Sequence, residues 1–196
     1  MQTELEAKFL DINIQELRNQ LVAVGANLVH SEQLMRRKNF DYPDGSLDKK
    51  GAWIRVRDEG DKITLAYKQL VDRTINGTKE LSLVIDDFDK ISDLLITIGL
   101  VLKSYQETKR ERWELDEVEI TIDTWPWIPS FVELEGGLES KIQEVASKLS
   151  LDWTKALHGS VESAYQAYYN VTEDEVDSWE KIVFSDIPES LIKLKK

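Results

Sequence analysis

Glu4, Glu6 and Lys8 occupy alternate positions near the start of the chain, interleaved with Leu5, Ala7 and Phe9. In an extended strand this alternation puts both carboxylates and the ammonium on one face and the apolar side chains on the other. Two acids beside a base can hold a divalent cation together with the anion it neutralises. A plain edge strand with charges that deter aggregation would carry the same pattern. A second stretch of the same kind, Phe131-Val132-Glu133-Leu134-Glu135-Gly136, lies late in the chain. Between the two, cations recur at strand spacing: Arg55 and Arg57 beside Trp53, Lys68 in a returning strand, and Arg110 and Arg112 before Trp113. Glu80 and Asp123 add further acids.

The consequence depends on which way these faces point. On an open sheet they would be solvated. A sheet closed into a barrel would turn them inward, and charges buried there must be paired or matched by a ligand. Lys and Arg beside clustered carboxylates suit a polyphosphate with its divalent metal. The carboxylates hold the metal, and the metal and cations hold phosphate oxygens. The chain has no Gly-rich phosphate loop of the Walker type, so such binding would run through side chains.

Composition narrows the classes. The 196 residues are 41% hydrophobic and 32% charged, enough for a sizeable core in one domain or two small ones. A net charge of −12 argues against nucleic-acid binding through bulk charge. The absence of cysteine excludes disulfides and thiolate metal sites, and two histidines (His30 and His158) do not make a His-rich site. Carboxylate oxygen remains, which suits Mg²⁺, Mn²⁺ or Ca²⁺. With no signal peptide and no apolar run of membrane length, the expected location is cytoplasmic, with no membrane partner.

The elements that position these residues follow from periodicity. Asp11 is expected to cap a helix over Ile12 to Val24, closed by Gly25. A second helix, capped by Asp87 or Asp89 and closed by Gly99, should turn Ile91, Leu94, Leu95 and Ile98 inward. Further helices are expected over Leu138 to Leu149 and Ser160 to Tyr169, the latter with Tyr165, Tyr168 and Tyr169 in packing roles. Trp125-Pro126-Trp127 is a proline-stiffened loop: a surface corner, a lid, a stacking platform or a dimer contact. The order strand, helix, Gly, strand occurs twice, and Arg36 follows Gly25 at the distance at which Arg110 follows Gly99. That echo suggests two similar halves facing each other.

Glu4-x-Glu6-x-Lys8 resembles the signature of the CYTH superfamily, the triphosphate tunnel metalloenzymes, which joins class IV adenylate cyclases with thiamine triphosphatases. The likeness continues in family order over roughly residues 2–170. It takes in Asn39-Phe40-Asp41-Tyr42-Pro43-Asp44, Trp53-Ile54-Arg55-Val56-Arg57, Leu65-Ala66-Tyr67-Lys68, Arg110-Glu111-x-Trp113, Ile122-Asp123 and the Glu133/Glu135 strand. ExExK alone is a weak pattern; the ordered set is specific.

The resemblance implies an α+β fold: an eight-stranded antiparallel β-barrel forming a tunnel, with helices packed outside. It implies a tunnel domain over 1–170, leaving 171–196 as a C-terminal extension whose apolar residues suggest partial docking. It implies Mg²⁺ or Mn²⁺ bound by Glu4, Glu6, Glu133 and Glu135, with Asp123 and Glu80 as further ligands or supporting acids. It implies a triphosphate gripped by Lys8, Arg55, Arg57, Lys68 and Arg110, joined on position and on the echo by Arg36. Ser82 stands where many relatives carry a second acid after the equivalent of Glu80.

Three functions follow. The first is a metal-dependent hydrolase acting on an inorganic or organic triphosphate (tripolyphosphate, thiamine triphosphate or a nucleoside triphosphate). Glu6 would orient the attacking water, or Lys68 would act if crowding by neighbouring Arg freed its amine. The second is an adenylate cyclase making cyclic AMP and pyrophosphate. The third is a non-catalytic module binding polyphosphate or nucleotide. The partner is a small-molecule triphosphate, with a homodimer as an expected assembly.

Overall fold

The computed structural model describes residues 1–196, the side chain of Gln2 apart. Eight strands close into an antiparallel barrel. They are β1 (Gln2–Phe9), β2 (Asn27–Asp41), β3 (Ala52–Asp58), β4 (Ile63–Leu70), β5 (Thr78–Ile85), β6 (Val101–Leu115), β7 (Val118–Thr124) and β8 (Phe131–Gly136). Their order is β2-β3-β4-β5-β1-β8-β7-β6, and β6 pairs back onto β2. A short β9 (Lys181–Ile182) adds parallel to β6. Alternation decides the two surfaces. In β1, Ala7 and Phe9 face the outer core while Glu4, Glu6 and Lys8 line the interior.

Helices cover the outside. α1 (Ile14–Ala23) and α3 (Glu139–Lys148) pack on β1, β6, β7 and β8, through Leu17, Leu21, Ile142 and Val145 against Phe9, Trp113, Ile120 and Leu134. α2 (Phe88–Thr97) covers β2 and β3 through Phe88 and Leu95, against Phe40 and Val56. The halves echo each other closely. α1 and α2 are ten residues each, β2 and β6 fifteen each. Gly25 and Gly99 close their helices at φ 77° and 105°, a region where a Cβ is strained.

Two helix expectations need correction. Asn13, not Asp11, caps α1, accepting from the Glu16 N–H at 3.2 Å; Asp11 sits at φ 57° in the preceding turn. In α2, Leu94 and Ile98 are 52% and 62% exposed. The buried stripe is Phe88, Ser92 and Leu95, and among the described residues no element covers the adjacent one.

The last part of the chain forms α4 (Glu162–Tyr168), α5 (Glu173–Asp177), β9 and α6 (Glu189–Ile192). Tyr165, Tyr169, Val176, Ile182 and Leu191 join Trp125, Ile128 and Phe131 in a core of their own. Among the described residues, no helix is long and apolar enough to cross a membrane.

Candidate functional site: a charged tunnel

A cavity of about 940 Å³ occupies the barrel interior, lined by the inward side chains of all eight strands. It brings together Glu4, Glu6, Lys8, Arg55, Arg57, Lys68, Glu80, Arg110, Glu133 and Glu135, which lie far apart in sequence.

The charges form linked groups. Lys8, 1% exposed, donates to Glu133 Oε1 at 2.8 Å and to the Gly159 carbonyl at 2.9 Å, with Glu6 Oε1 at 3.9 Å. Burial opposes its charge, but Glu133 and Glu6 outweigh burial and raise the pKa of the ammonium. Glu133 also accepts from Arg110 Nη2 at 2.9 Å. Burial works against its charge too, yet Lys8 and Arg110 hold it well below the usual carboxylate range. A second group centres on Lys68, whose Nζ lies 2.7 Å from Glu4 Oε2 and 3.0 Å from Glu80 Oε2. Burial and the contact with Glu80 push Glu4 up to about 8; burial opposes the charge of Glu80 too, but the hydrogen bond with Glu4, then Lys68 and Arg55, hold it low. Lys68 donates to Glu4 Oε1 at 3.1 Å and pairs with Glu80, which fixes its nitrogen between the two acids.

Asp123, 0% exposed, lies beneath the cavity surface rather than on it. Its two oxygens accept from Arg110 Nε at 2.6 Å and Nη2 at 2.7 Å, and Oδ2 also accepts from Thr121. It orients Arg110 through a bidentate pair.

Arg36 is not in the tunnel. Its exposed side chain pairs with Asp58 Oδ2 at 2.6 Å and lies over the Phe88 ring at 5.1 Å, on the outer face. Arg37 takes the inward place. The cause is irregular register: β2 spends five steps from Leu28 to Gln33 opposite three steps of β6, from Trp113 to Arg110. β6 in turn spends two steps, Ser104 to Leu102, opposite the single step Asn39 to Phe40. Because alternation has period two, unequal bulging breaks the echo between Arg36 and Arg110. Nothing in the sequence marks those bulges.

Glu59 belongs to the site as well. It accepts from Arg57 Nε at 2.9 Å and lines the cavity. Burial opposes its charge, but Arg57 and Lys62 lower its pKa. It continues the spacing Trp53, Arg55, Arg57, so its position was readable in principle. Glu119 lines the wall beside Arg112.

The cations are crowded. Burial and then Arg57 push Arg55 down to about 10. Burial and then Arg55, Arg57 and Arg110 push Arg37 well down. The Nε atoms of Arg37 and Arg55 are buried without a hydrogen-bond partner.

The acids carry the complementary question of metal. Glu6 and Glu135 are register partners across β1 and β8. Packing of the wall around it and the Glu6 carboxylate raise the pKa of Glu135. Among the described residues Glu135 has no ion-pair partner, and Glu6 has only Lys8 at 3.9 Å. Two like charges facing each other, with oxygen donors only, fit a hard divalent cation such as Mg²⁺ or Mn²⁺. Among the described residues no three acidic or histidine side chains form a ready metal cage, since Glu133 is drawn onto Lys8 and Arg110.

The model of the CYTH domain family matches residues 2–172. No curated protein matches the sequence. Solved structures share the fold at low identity. A protein from Vibrio parahaemolyticus described as a candidate adenylate cyclase is 15% identical, with TM-score 0.74, over 84% of this chain and 98% of that one. A conserved hypothetical protein from Pyrococcus furiosus is 22% identical, with TM-score 0.65, over 79% and 94%. A Hippeastrum protein described as a candidate adenylyl cyclase with a dominant triphosphatase activity is 11% identical, with TM-score 0.58, over 90% and 95%.

Proposed function

Because the chain belongs to the CYTH family, whose members are commonly triphosphatases or cyclase-like enzymes that use divalent metals, we propose that it is a metal-dependent hydrolase of a small-molecule triphosphate, inorganic or organic. One observation carries the reading. Arg37, Arg55, Arg57 and Arg110 are held close enough to repel one another around a 940 Å³ cavity, and two of the four have an unpartnered buried Nε. A polyanion supplies both the charge and the acceptors that this arrangement lacks.

The chain's own residues divide the work. Lys8, Arg55, Arg57 and Arg110 bind phosphate oxygens, and Asp123 fixes the fork of Arg110. Glu4 and Glu80 hold Lys68 so that its ammonium faces the substrate. Glu6 and Glu135, with Glu133 nearby, would hold Mg²⁺ or Mn²⁺, which would supply charge neutralisation at the phosphates. Glu6 orients a water for in-line attack on the terminal phosphorus. The new bond joins the water oxygen to that phosphorus, and the bond to the bridging oxygen breaks. Orthophosphate and a diphosphate leave, and the water's proton passes to solvent.

The cyclase reading keeps the same tunnel and is favoured by the descriptions of the Vibrio parahaemolyticus and Hippeastrum structures as candidate cyclases. Phosphorus NMR on tripolyphosphate and ATP in parallel, with Mg²⁺ or Mn²⁺, separates the two. Orthophosphate with diphosphate is expected. Cyclic AMP with pyrophosphate from ATP would overturn the hydrolase, and tight binding with no turnover of any triphosphate would make the protein a binding module.

A further inference from the structure

Arg37 is 7% exposed and lies opposite Arg57 on β3 and Gln106 on β6. Its Nη2 donates to the hydroxyl of Thr108 at 2.9 Å, a neutral acceptor, and its Nε has no partner. Five other tunnel cations have carboxylates in reach: Lys8 has Glu133, Lys68 has Glu4 and Glu80, Arg57 has Glu59, Arg110 has Asp123 and Glu133, and Arg55 has Glu80 at 3.8 Å. Among the described residues Arg37 has none within ion-pair distance. A guanidinium buried beside three others without a counter-charge is costly to the free protein, and a bound anion removes that cost.

What keeps Arg37 there is aromatic. Its guanidinium lies 4.6 Å from the centroid of the Trp125 ring. Trp125 meets Tyr165 edge-on at 6.4 Å, and Tyr165 meets Trp179 edge-on at 5.2 Å. The Tyr165 hydroxyl donates to the Pro126 carbonyl at 2.9 Å, which ties the column to the Trp125 loop. Trp179 lies beyond residue 172, outside the segment matched by the family model.

We infer that Arg37 binds a phosphoryl group of the substrate, and that the C-terminal segment positions it through the column Trp179, Tyr165, Trp125. The inference rests on the triphosphate reading of the tunnel. It adds an anion-binding residue and gives the segment after residue 172 a part in the site. Arg37 is a binding residue; Trp179, which reaches the substrate only through others, is a positioning residue.

The test is calorimetric titration of the full chain with tripolyphosphate, once with a chelator and once with Mg²⁺. Loss of one charge-assisted contact predicts that Arg37→Gln weakens binding about 10- to 100-fold. Arg37→Lys, which keeps the charge and loses the fork, should recover part of that loss. Lys109→Gln, on the outer face over Phe184, should stay within about twofold of wild type. A residue serving only the fold would lose stability on substitution. Free Arg37→Gln should instead unfold at or above the wild-type midpoint, because a buried uncompensated charge is gone. Trp179→Leu should weaken binding, and adding it to Arg37→Gln should weaken it no further. Wild-type affinity in Arg37→Gln would overturn the inference and leave the triphosphate reading intact. Additive losses in the double variant would overturn the positioning by Trp179. A wild-type protein that binds neither tripolyphosphate nor ATP under either condition would overturn the triphosphate reading itself.

Discussion

Replacing Lys8 with methionine tests whether the tunnel's charges are coupled as the distances imply. Methionine keeps most of the stem and removes the ammonium, so the packing beneath β1 changes little. Lys8 is fully buried, so the loss is not softened by water. Breaking a buried pair by removing one partner costs about 3–5 kcal/mol, because a charge is left uncompensated. Glu133 keeps Arg110 on its other oxygen at 2.9 Å, which places the charge loss at the low end of that range. The Gly159 carbonyl also loses its donor, worth about 1 kcal/mol. The expected destabilisation is therefore about 3–4 kcal/mol. For a chain of this length that lowers the melting temperature by about 6–16 °C. Urea unfolding followed by circular dichroism at pH 7 measures it. The decisive arm is Lys8→Met with Glu133→Gln, which removes the orphaned carboxylate while Arg110 keeps both oxygens of Asp123. The double variant should regain a large part of the loss. A single-variant loss below about 1 kcal/mol, or a Glu133→Gln cost that simply adds, would refute the coupling.

Three other predictions follow from separate parts of the chain. Glu6→Gln should lower kcat for tripolyphosphate by about 10²- to 10⁴-fold with the fold unchanged, and a loss under about tenfold in steady-state assays would remove Glu6 from the chemistry. Burial, and then the Asp177 carboxylate, push Glu162 up to about 8 from its ordinary 4.5. The folded chain thus holds that proton more tightly than the unfolded chain, so the stabilisation is complete below about 4.5 and lost as pH rises through 8. Glu162→Gln should flatten the fall in stability between about pH 4.5 and 8, and identical slopes in denaturant titrations would discount the shift. Gly51 sits at φ 63°, and a Cβ there would lie 2.5 Å from the Leu70 carbonyl oxygen. Gly51→Ala should cost more than about 1 kcal/mol in the same unfolding assay, and a neutral result would mean that β3 and β4 can separate at that point.

Where each feature was readable in the sequence depended on how local its cause is. The ionic faces of β1, β3 and β8 rest on period-two alternation within a few residues, so Glu4, Glu6, Lys8, Arg55, Arg57, Glu133 and Glu135 all reach one cavity. Glu59 obeyed the same rule, and was hidden only because it falls in a stretch that also reads as a turn. The helix cap misread by two residues is a choice between Asp11 and Asn13 that chain direction at the end of β1 decides. Leu94 and Ile98 have helical spacing, but whether that stripe is buried depends on whether another element lies over it, which no local pattern states. Arg36 and Arg37 are the sharpest case, because their inward or outward sense is set by bulges measured against β6, some seventy residues away in the chain.

The pairing of charges is likewise non-local. Lys68 is a cation in a strand by sequence, but in the fold it is enclosed by Glu4 and Glu80, which fix its position in the wall. Asp123 reads as an acid on an inward face, yet the bulk of Arg110 in front of it turns it into that residue's holder. On β1 and β8, Glu6 and its register partner Glu135 remain without a close cation, and Arg37 is a buried cation with no acid in ion-pair distance among the described residues. That residue of unmatched charge, negative at one pair and positive at one guanidinium, is what a metal ion and a phosphate chain would neutralise together, which is why the two ligands are expected to bind more tightly in each other's presence than alone.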